Sequence, residues 1–327
     1  MKSPLAIAQA VHTLGGQTMG TSWCVRLAGA RHTDLDALHA TITARLARVV
    51  RQMSTWEPDS DICRYNRAEA GQWVAIPAEF EHVLACALAI ASASEGAFDP
   101  AVGALVDLWG FGPAARQTDA TPEPATLAAA RAGSGWREVV LDRAAGRVLQ
   151  PGGVQLDLSA IAKGFAADDV ATCLRESGVG AALVDIGGEL VGYGRKPDGT
   201  PWRVLVEAGP EEEEEEDRLD ARVLQLDELA VATSGDRWHH YTRAGRRYTH
   251  TIDPRSGEPV AHAPAAVSVI AADAMHADAW ATALSVLGVE AGQALAVQHG
   301  LAVRFLWRDG ERLQECMTDG FRRHMAA

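Results

Sequence analysis

The chain has 327 residues, 47% hydrophobic and 22% charged, the composition of a globular protein with room for one large domain or two small ones. Its formal net charge is −13, with no basic stripe to offset it, which argues against a nucleic-acid partner. Cys24, Cys63, Cys86, Cys173 and Cys316 are far apart and form no C-x-x-C pair, so neither a disulfide framework nor a zinc site is expected, and the thiols are expected to be buried and reduced.

The first ten residues carry one lysine and a short, weakly apolar run, a poor signal peptide without a lipoprotein cysteine. No apolar stretch reads as long and uninterrupted enough to span a bilayer, so no transmembrane segment is expected. As the sequence stands, the expected compartment is cytoplasmic; a leader ahead of it would make it periplasmic and inner-membrane associated. Residues 16–29 read as a strand with a glycine near its start. Residues 34–52 have helical spacing, with Leu35, Leu38, Ile42, Leu46, Val49 and Val50 on one face. A loop-rich segment follows, with a short helix near Ser60 to Asn66, and then a helix over 78–94.

Residues 111–125 read as a surface loop. Two strands, near Glu138 to Asp142 and Arg147 to Gln150, turn at Ala145-Gly146. Leu156-Asp-Leu-Ser-Ala-Ile-Ala-Lys-Gly-Phe165 reads as the end of a strand and the start of a helix running to about Ser177, stopped by Gly178. Beyond it come strands at 182–186, 202–208 and 222–226, with the acidic run Glu211 to Glu216 as a solvated excursion between the last two. Residues 248–257 read as a strand broken by a turn, and 267–271 as another strand. A helix from Asp273 to Leu287 is closed by Gly288, a second runs over 290–299, and a hairpin turns at Asp309-Gly310. Hairpins and helices without regular βαβ alternation predict an α+β fold with a mostly antiparallel sheet.

Chemistry can sit in three places. At the 156–165 turn, Asp157 and Ser159 offer cap-type oxygens, and Lys163, placed in the first turn, adds charge to a helix N-terminus that can receive a diphosphate; an ordinary capped helix has the same look. Asp278 and Thr282, i and i+4 on a helix, form a hard-oxygen pair suited to Mg²⁺; a solvated Asp and a back-bonded Thr fit equally. His250, on a strand face shared with Ile252, can serve as a general base or simply pack. His276 reads as a surface residue, and Arg255 as part of turn chemistry. The nucleotide-binding glycine motifs and the nucleophile elbow are absent.

The order of the blocks adds to this. Met19-Gly-Thr21, Met53-Ser-Thr-Trp56 with Pro58-Asp-Ser60, Gly96-Ala-Phe-Asp-Pro100, Leu156 to Gly164, Ile186-Gly-Gly-Glu189, Ala232-Thr-Ser-Gly-Asp236, His250-Thr-Ile-Asp-Pro-Arg-Ser-Gly257 and Asp278-Ala-x-Ala-Thr282 follow one another along the chain. This series resembles the ApbE-type FAD:protein FMN transferases over roughly residues 16 to 310. The resemblance implies a T-fold-like α+β domain over 16–327, after an N-terminal extension of residues 1–15, with an acidic insertion near 209–220. It implies FAD as substrate, Mg²⁺ as cofactor, and transfer of FMN through a phosphodiester to a threonine or serine of an acceptor protein, releasing AMP. The acceptor would carry an FMN-binding domain or flavinylation motif, and the enzyme would be a monomer or homodimer. Asp278, Thr282 and the Ala160 carbonyl would hold the metal. Met19, Trp56, Ala97, Phe98, Asp99, Asp157, Lys163 and Ile252 would line FAD, with Gly20, Thr21, Ser159, Gly235 and His250 from the same blocks. His250 would be the base, with Lys163 and Asp278 the other catalytic residues. Alternatives on the same site are an FAD pyrophosphatase giving FMN and AMP, or a non-catalytic FAD-binding protein. The chain departs from the family pattern at Cys63, where serine is more usual, and at Trp56, where tyrosine is also common.

Overall fold

Two ten-residue strands, β1 (Gln9–Thr18) and β2 (Thr21–Ala30), pair antiparallel as a hairpin. The single strand expected over 16–29 is therefore two. Met19 and Gly20 take φ of 49° and 72°, the paired positive values that reverse a chain in a two-residue hairpin turn. The computed structural model describes residues 9–30, 33–113, 121–133, 135–206, 222–235, 240–243, 246–260, 264–310 and 312–326.

Helix α1 (Leu35–Met53) starts at Asp34, whose carboxylate accepts from the Ala37 N–H at 3.0 Å, and buries Leu38, Ile42, Leu46 and Val49 as the spacing predicts. Helix α2 (Asp61–Asn66) is capped by Ser60. Then come β3 (Trp73–Ala75), α3 (Ala78–Ala93), α4 (Gly103–Leu108), α5 (Pro124–Ala132), β4 (Val140–Asp142) and β5 (Arg147–Leu149). Neither α4 nor α5 was expected from the sequence. The six residues of α4 are too few for a period to show, and α5 has no buried residue and so no apolar stripe.

Helix α6 (Ser159–Glu176) leads to β6 (Ala181–Ile186) and to β7 (Glu189–Tyr193), a short strand absent from the sequence reading. Strands β8 (Trp202–Val206) and β9 (Arg222–Leu226) pair antiparallel; the acidic run between them lies outside the described residues. Next are β10 (Leu229–Ser234), β11 (His240–Arg243), β12 (Arg246–Thr249), β13 (Ile252–Asp253), β14 (Glu258–Pro259) and β15 (Ala266–Ala271). Helix α7 (Ala274–Gln298) is broken at Gly288 (φ 77°, ψ −179°), where the sequence placed a boundary between two helices. The chain ends with β16 (Ala302–Asp309), β17 (Arg312–Met317) and α8 (Asp319–Arg322). Gly310, at φ 65°, makes the expected turn between β16 and β17.

Among the described residues the main sheet has eight strands in the order β1-β2-β6-β7-β10-β15-β16-β17, and every pairing is antiparallel. Helices beside such a sheet make the fold α+β, as expected. The continuous apolar run of β6 follows from burial on both faces. Ala182, Val184 and Ile186 join the core under α1, α3, α6 and α7, while Ala181 and Leu183 face the layer holding Trp202, Val204 and Leu226 from β8 and β9. By length and composition alone helix α7 could cross a membrane, although the break at Gly288 divides it. Its first half is nonetheless core: Ala277, Ala281, Ala283 and Leu284 are buried. All five cysteines are free, and only Cys173 is buried; the other four are half-exposed, so the expectation of buried thiols holds at one position.

Candidate active site

The segment before α6 is not a strand. It is extended chain held by separate hydrogen bonds: the Asn66 amide donates to the Leu156 carbonyl at 2.9 Å and accepts from the Leu156 N–H at 2.8 Å, and the Asp157 N–H donates to the Pro100 carbonyl at 2.8 Å. These bonds draw α2 and the Ala97–Pro100 block to the helix start. Asp157 accepts from the Ser159 N–H at 2.8 Å, but Ser159 is itself the first helical residue and caps nothing. The Ile161 and Ala162 N–H groups both reach the Leu158 carbonyl. Most of the donors expected to receive phosphate are thus already used, and the positive charge here comes chiefly from Lys163, which lies in the second turn of α6 and not the first.

Lys163 donates to Glu189 Oε1. Close by, the Gly164 N–H donates to Asp278 Oδ2 at 3.0 Å. In an α-helix this N–H points at the carbonyl four residues back, that of Ala160. The Asp278 carboxylate therefore sits on the side of α6 toward which the Gly164 N–H and the Ala160 carbonyl face each other. Glycine makes this possible: a Cβ on Gly164 would lie 2.2 Å from the Ala274 carbonyl oxygen. Asp168 clasps the same helix pair, accepting from the Ala274 and Met275 N–H groups at 2.8 and 2.9 Å. Thr282 stands one turn beyond Asp278, half-buried. Burial raises the Asp278 carboxyl above its ordinary value, with Lys163 and the Gly164 N–H pulling it back. Burial also raises Glu189, up to about 8. On Lys163 burial is more than offset by Asp278 and Glu189, and the ammonium is held above its usual value. Among the described residues no three His, Cys, Asp or Glu side chains gather as a metal site. A cation here would need backbone and hydroxyl oxygens beside a carboxylate, as the Ala160 carbonyl, Thr282 and Asp278 would offer; such hard donors suit Mg²⁺.

Two hairpin turns flank this centre. The Gly187 N–H donates to the Ser22 carbonyl, and a Cβ on Gly187 would meet Thr21 Cγ2 at 2.6 Å, so the Met19-Gly20-Thr21 turn lies against the Gly187-Gly188 turn that precedes Glu189. Trp56 is 66% exposed, an open aromatic face, whereas Ala97 and Phe98 are core. Both oxygens of Asp99 are taken by backbone, one by Ala101 and one by Trp136, and burial pushes its carboxyl up to about 6. The Cys63 Sγ reaches the Thr55 carbonyl at 3.3 Å, a contact that a serine hydroxyl would also make, which accounts for the tolerated departure.

His250 is in a bend between β12 and β13 and not within a strand. Its ring stands edge-on to Phe111 at 6.5 Å. Ile252 is buried with Leu105 and Trp109, and Trp109 Nε1 donates to the Gly257 carbonyl at 2.7 Å. His250 and Ile252 thus sit with residues of and around α4, while Lys163, Asp278 and the two turns are linked through Gly164, Glu189 and Gly187. Gly235 packs directly on the Ala265 carbonyl. Arg255 is paired twice with Asp253, as turn chemistry implies. His276 bonds Asp273 at 2.7 Å and Cys86 at 3.5 Å, so it is a partnered side chain and no part of the centre. Residue-by-residue reading gave no role to Glu189, Gly164, Asp168 or Asn66. Glu189 stood inside a quoted block, but a lone carboxylate after two glycines carries no signal until its partner is known.

The sequence model of the ApbE family matches residues 19–305. The chain is 34% identical to the FAD:protein FMN transferase of Klebsiella pneumoniae, over 98% of this chain and 91% of that protein. It is 34% identical to the protein of the same name from Salmonella typhimurium, over 96% and 89%. Its fold superimposes on the apo flavinyl transferase ApbE of Pseudomonas stutzeri with a TM-score of 0.89 and 37% identity, covering 98% of each chain. For the flavin transferase ApbE of Vibrio cholerae the TM-score is 0.88 and the identity 32%, covering 97% of this chain and 99% of that one. The chain belongs to the ApbE family.

Proposed function

We propose that this protein is an FAD:protein FMN transferase. It takes FAD, breaks the diphosphate, joins FMN through a phosphodiester to a threonine or serine hydroxyl of an acceptor protein, and releases AMP. The observation that carries this reading is the Gly164 N–H on Asp278 Oδ2, which seats the carboxylate close to Lys163 and on the side of α6 toward which the Gly164 N–H and the preceding turn's Ala160 carbonyl face each other. Asp278 is buried, and burial favours its neutral form against the pull of Lys163 and the Gly164 N–H. Asp278, Thr282 and the Ala160 carbonyl are the residues that would hold Mg²⁺, which when bound supplies charge neutralisation at the diphosphate.

The rest of the work falls to the chain. The Lys163 ammonium faces the charge that grows on the departing AMP phosphate. The exposed Trp56 face offers a stacking surface for a flavin ring. His250, in its bend, takes the proton of the acceptor hydroxyl. The two turns at Met19–Thr21 and Gly187–Gly188 bring backbone close to the ligand, where a side chain would intrude. The test is to co-incubate the protein with FAD, Mg²⁺ and an FMN-binding acceptor domain and look for flavin fluorescence on the acceptor band. Free FMN with an unlabelled acceptor would make the protein a pyrophosphatase; bound, unchanged FAD would make it a carrier.

A further inference from the structure

Glu189 has no part in that chemistry, yet its side chain is 3% exposed and Lys163 is its ion-pair partner. Its position is closely determined. It is the first residue of β7, directly after Gly187 and Gly188 at φ of 66° and 103°. The turn is fixed from both sides, by the Gly188 N–H on Asp185 Oδ1 at 3.0 Å and by Gly187 against Thr21. One carboxylate oxygen accepts from Lys163; the other is shut off from solvent and has no hydrogen-bond partner. A carboxylate so placed keeps its charge only beside a cation; without one it takes up a proton or stays as an uncompensated buried charge. The pair is also asymmetric: the Lys163 side chain is 31% exposed against 3% for Glu189. The carboxylate is thus the enclosed member of the pair, and the lysine is the one that solvent reaches. A lysine carries three donors on a flexible four-carbon stem, so one bond to a fixed carboxylate restricts the stem and leaves two donors for a ligand. The other carboxylates that act on Lys163 are Asp278 and Asp185. Without Glu189, the ammonium would be free to follow either of them and leave the diphosphate.

We propose that Glu189 is a positioning residue that holds the Lys163 ammonium at the diphosphate subsite and acts only through Lys163. The inference rests on the transferase reading, or at least on cleavage of FAD at this centre. The test is a double-mutant cycle of Glu189→Gln and Lys163→Met, with AMP release measured at saturating Mg²⁺ in the presence of an FMN-binding acceptor domain. Glu189→Gln is expected to lower kcat by roughly ten- to a hundredfold, the usual effect of losing a partner behind a reacting group, and to leave the KM for FAD within about threefold. In the Lys163→Met background the same change is expected to have no further effect. A Glu189→Gln kcat within about twofold of wild type, or losses that multiply in the double variant, would overturn the proposal. Should Lys163→Met fail to fold for want of a partner to Glu189, the kcat of Glu189→Gln per FAD-binding site decides: a loss that persists at full FAD-binding stoichiometry and an unchanged melting temperature supports the positioning role, and a loss that vanishes once corrected for the active fraction overturns it. AMP release is read by itself, so a protein that cleaves FAD without labelling an acceptor refutes the transferase reading and leaves this inference standing on its own result. A wild-type protein that releases no AMP overturns both.

Discussion

The two ends of the proposed site are built differently. Around Lys163 and Asp278 the framework is two long helices, α6 and α7, clasped by backbone N–H groups that donate to the Asp168 and Asp278 carboxylates and brought together at Gly164. Around His250 it is a bend, the two-residue strands β13 and β14, and a small apolar cluster under α4. The contrast suits the chemistry. Diphosphate cleavage needs charges fixed in advance, since their value lies in not having to reorganise. On the proposed reading the acceptor hydroxyl arrives at His250 on another protein, and short elements there leave room for it to approach.

Breaking the helix pair should therefore cost more than altering the elements around His250. Asp278→Ala is expected to abolish Mg²⁺-dependent turnover and to remove any rise in melting temperature on adding Mg²⁺; a retained Mg²⁺ shift would take Asp278 out of the metal site. His250→Ala should slow transfer by roughly 10²- to 10⁴-fold, the usual weight of a general base, while FAD titration gives an unchanged affinity. Weaker FAD binding in step with the lost transfer would make His250 structural. Gly164→Ala drives a methyl group into the Ala274 carbonyl. It should lower stability by about 1–3 kcal/mol in urea unfolding, with a larger proportional loss of activity as Asp278 leaves the Gly164 N–H. An Ala variant with wild-type stability would mean that α6 and α7 have slack that the geometry does not suggest.

The smallest effect concerns pH. Burial raises the Asp168 carboxyl from 3.8 to about 7, although its two backbone donors oppose the shift. The folded state thus holds this proton more tightly than the unfolded chain does. The associated stability is fully present below about pH 4 and is lost as pH rises through 7. Melting temperatures of Asp168→Asn should decline less between pH 5 and 8 than those of wild type; parallel curves would show that the carboxyl titrates in its ordinary range.

Much of the frame was legible because burial leaves a period. The stripe on α1, the apolar run of β6, and Gly178 and Gly310 at their boundaries could all be placed from residue types alone. The hairpin at Met19 was missed because a methionine at positive φ is rare, so the residue did not look like a turn. The site was legible in its residues but not in its partnerships. Asp278 and Lys163 stand more than a hundred positions apart, and their neighbourhood depends on Gly164, whose importance is the absence of a side chain. Ser159 was mistaken for a cap because cap-type residues inside and just outside a first turn look alike in sequence. Glu189 could not have been assigned at all, since its meaning lies in a buried contact with Lys163.

The central claim is that the centre between α6 and α7 drives FMN onto protein. It is tested most directly by mass spectrometry of an acceptor domain incubated with FAD, Mg²⁺ and either wild type or Asp278→Ala. The acceptor should gain one FMN on a threonine or serine with wild type and none with the variant. An unmodified acceptor beside stoichiometric free FMN and AMP, or equal labelling by both proteins, would contradict it.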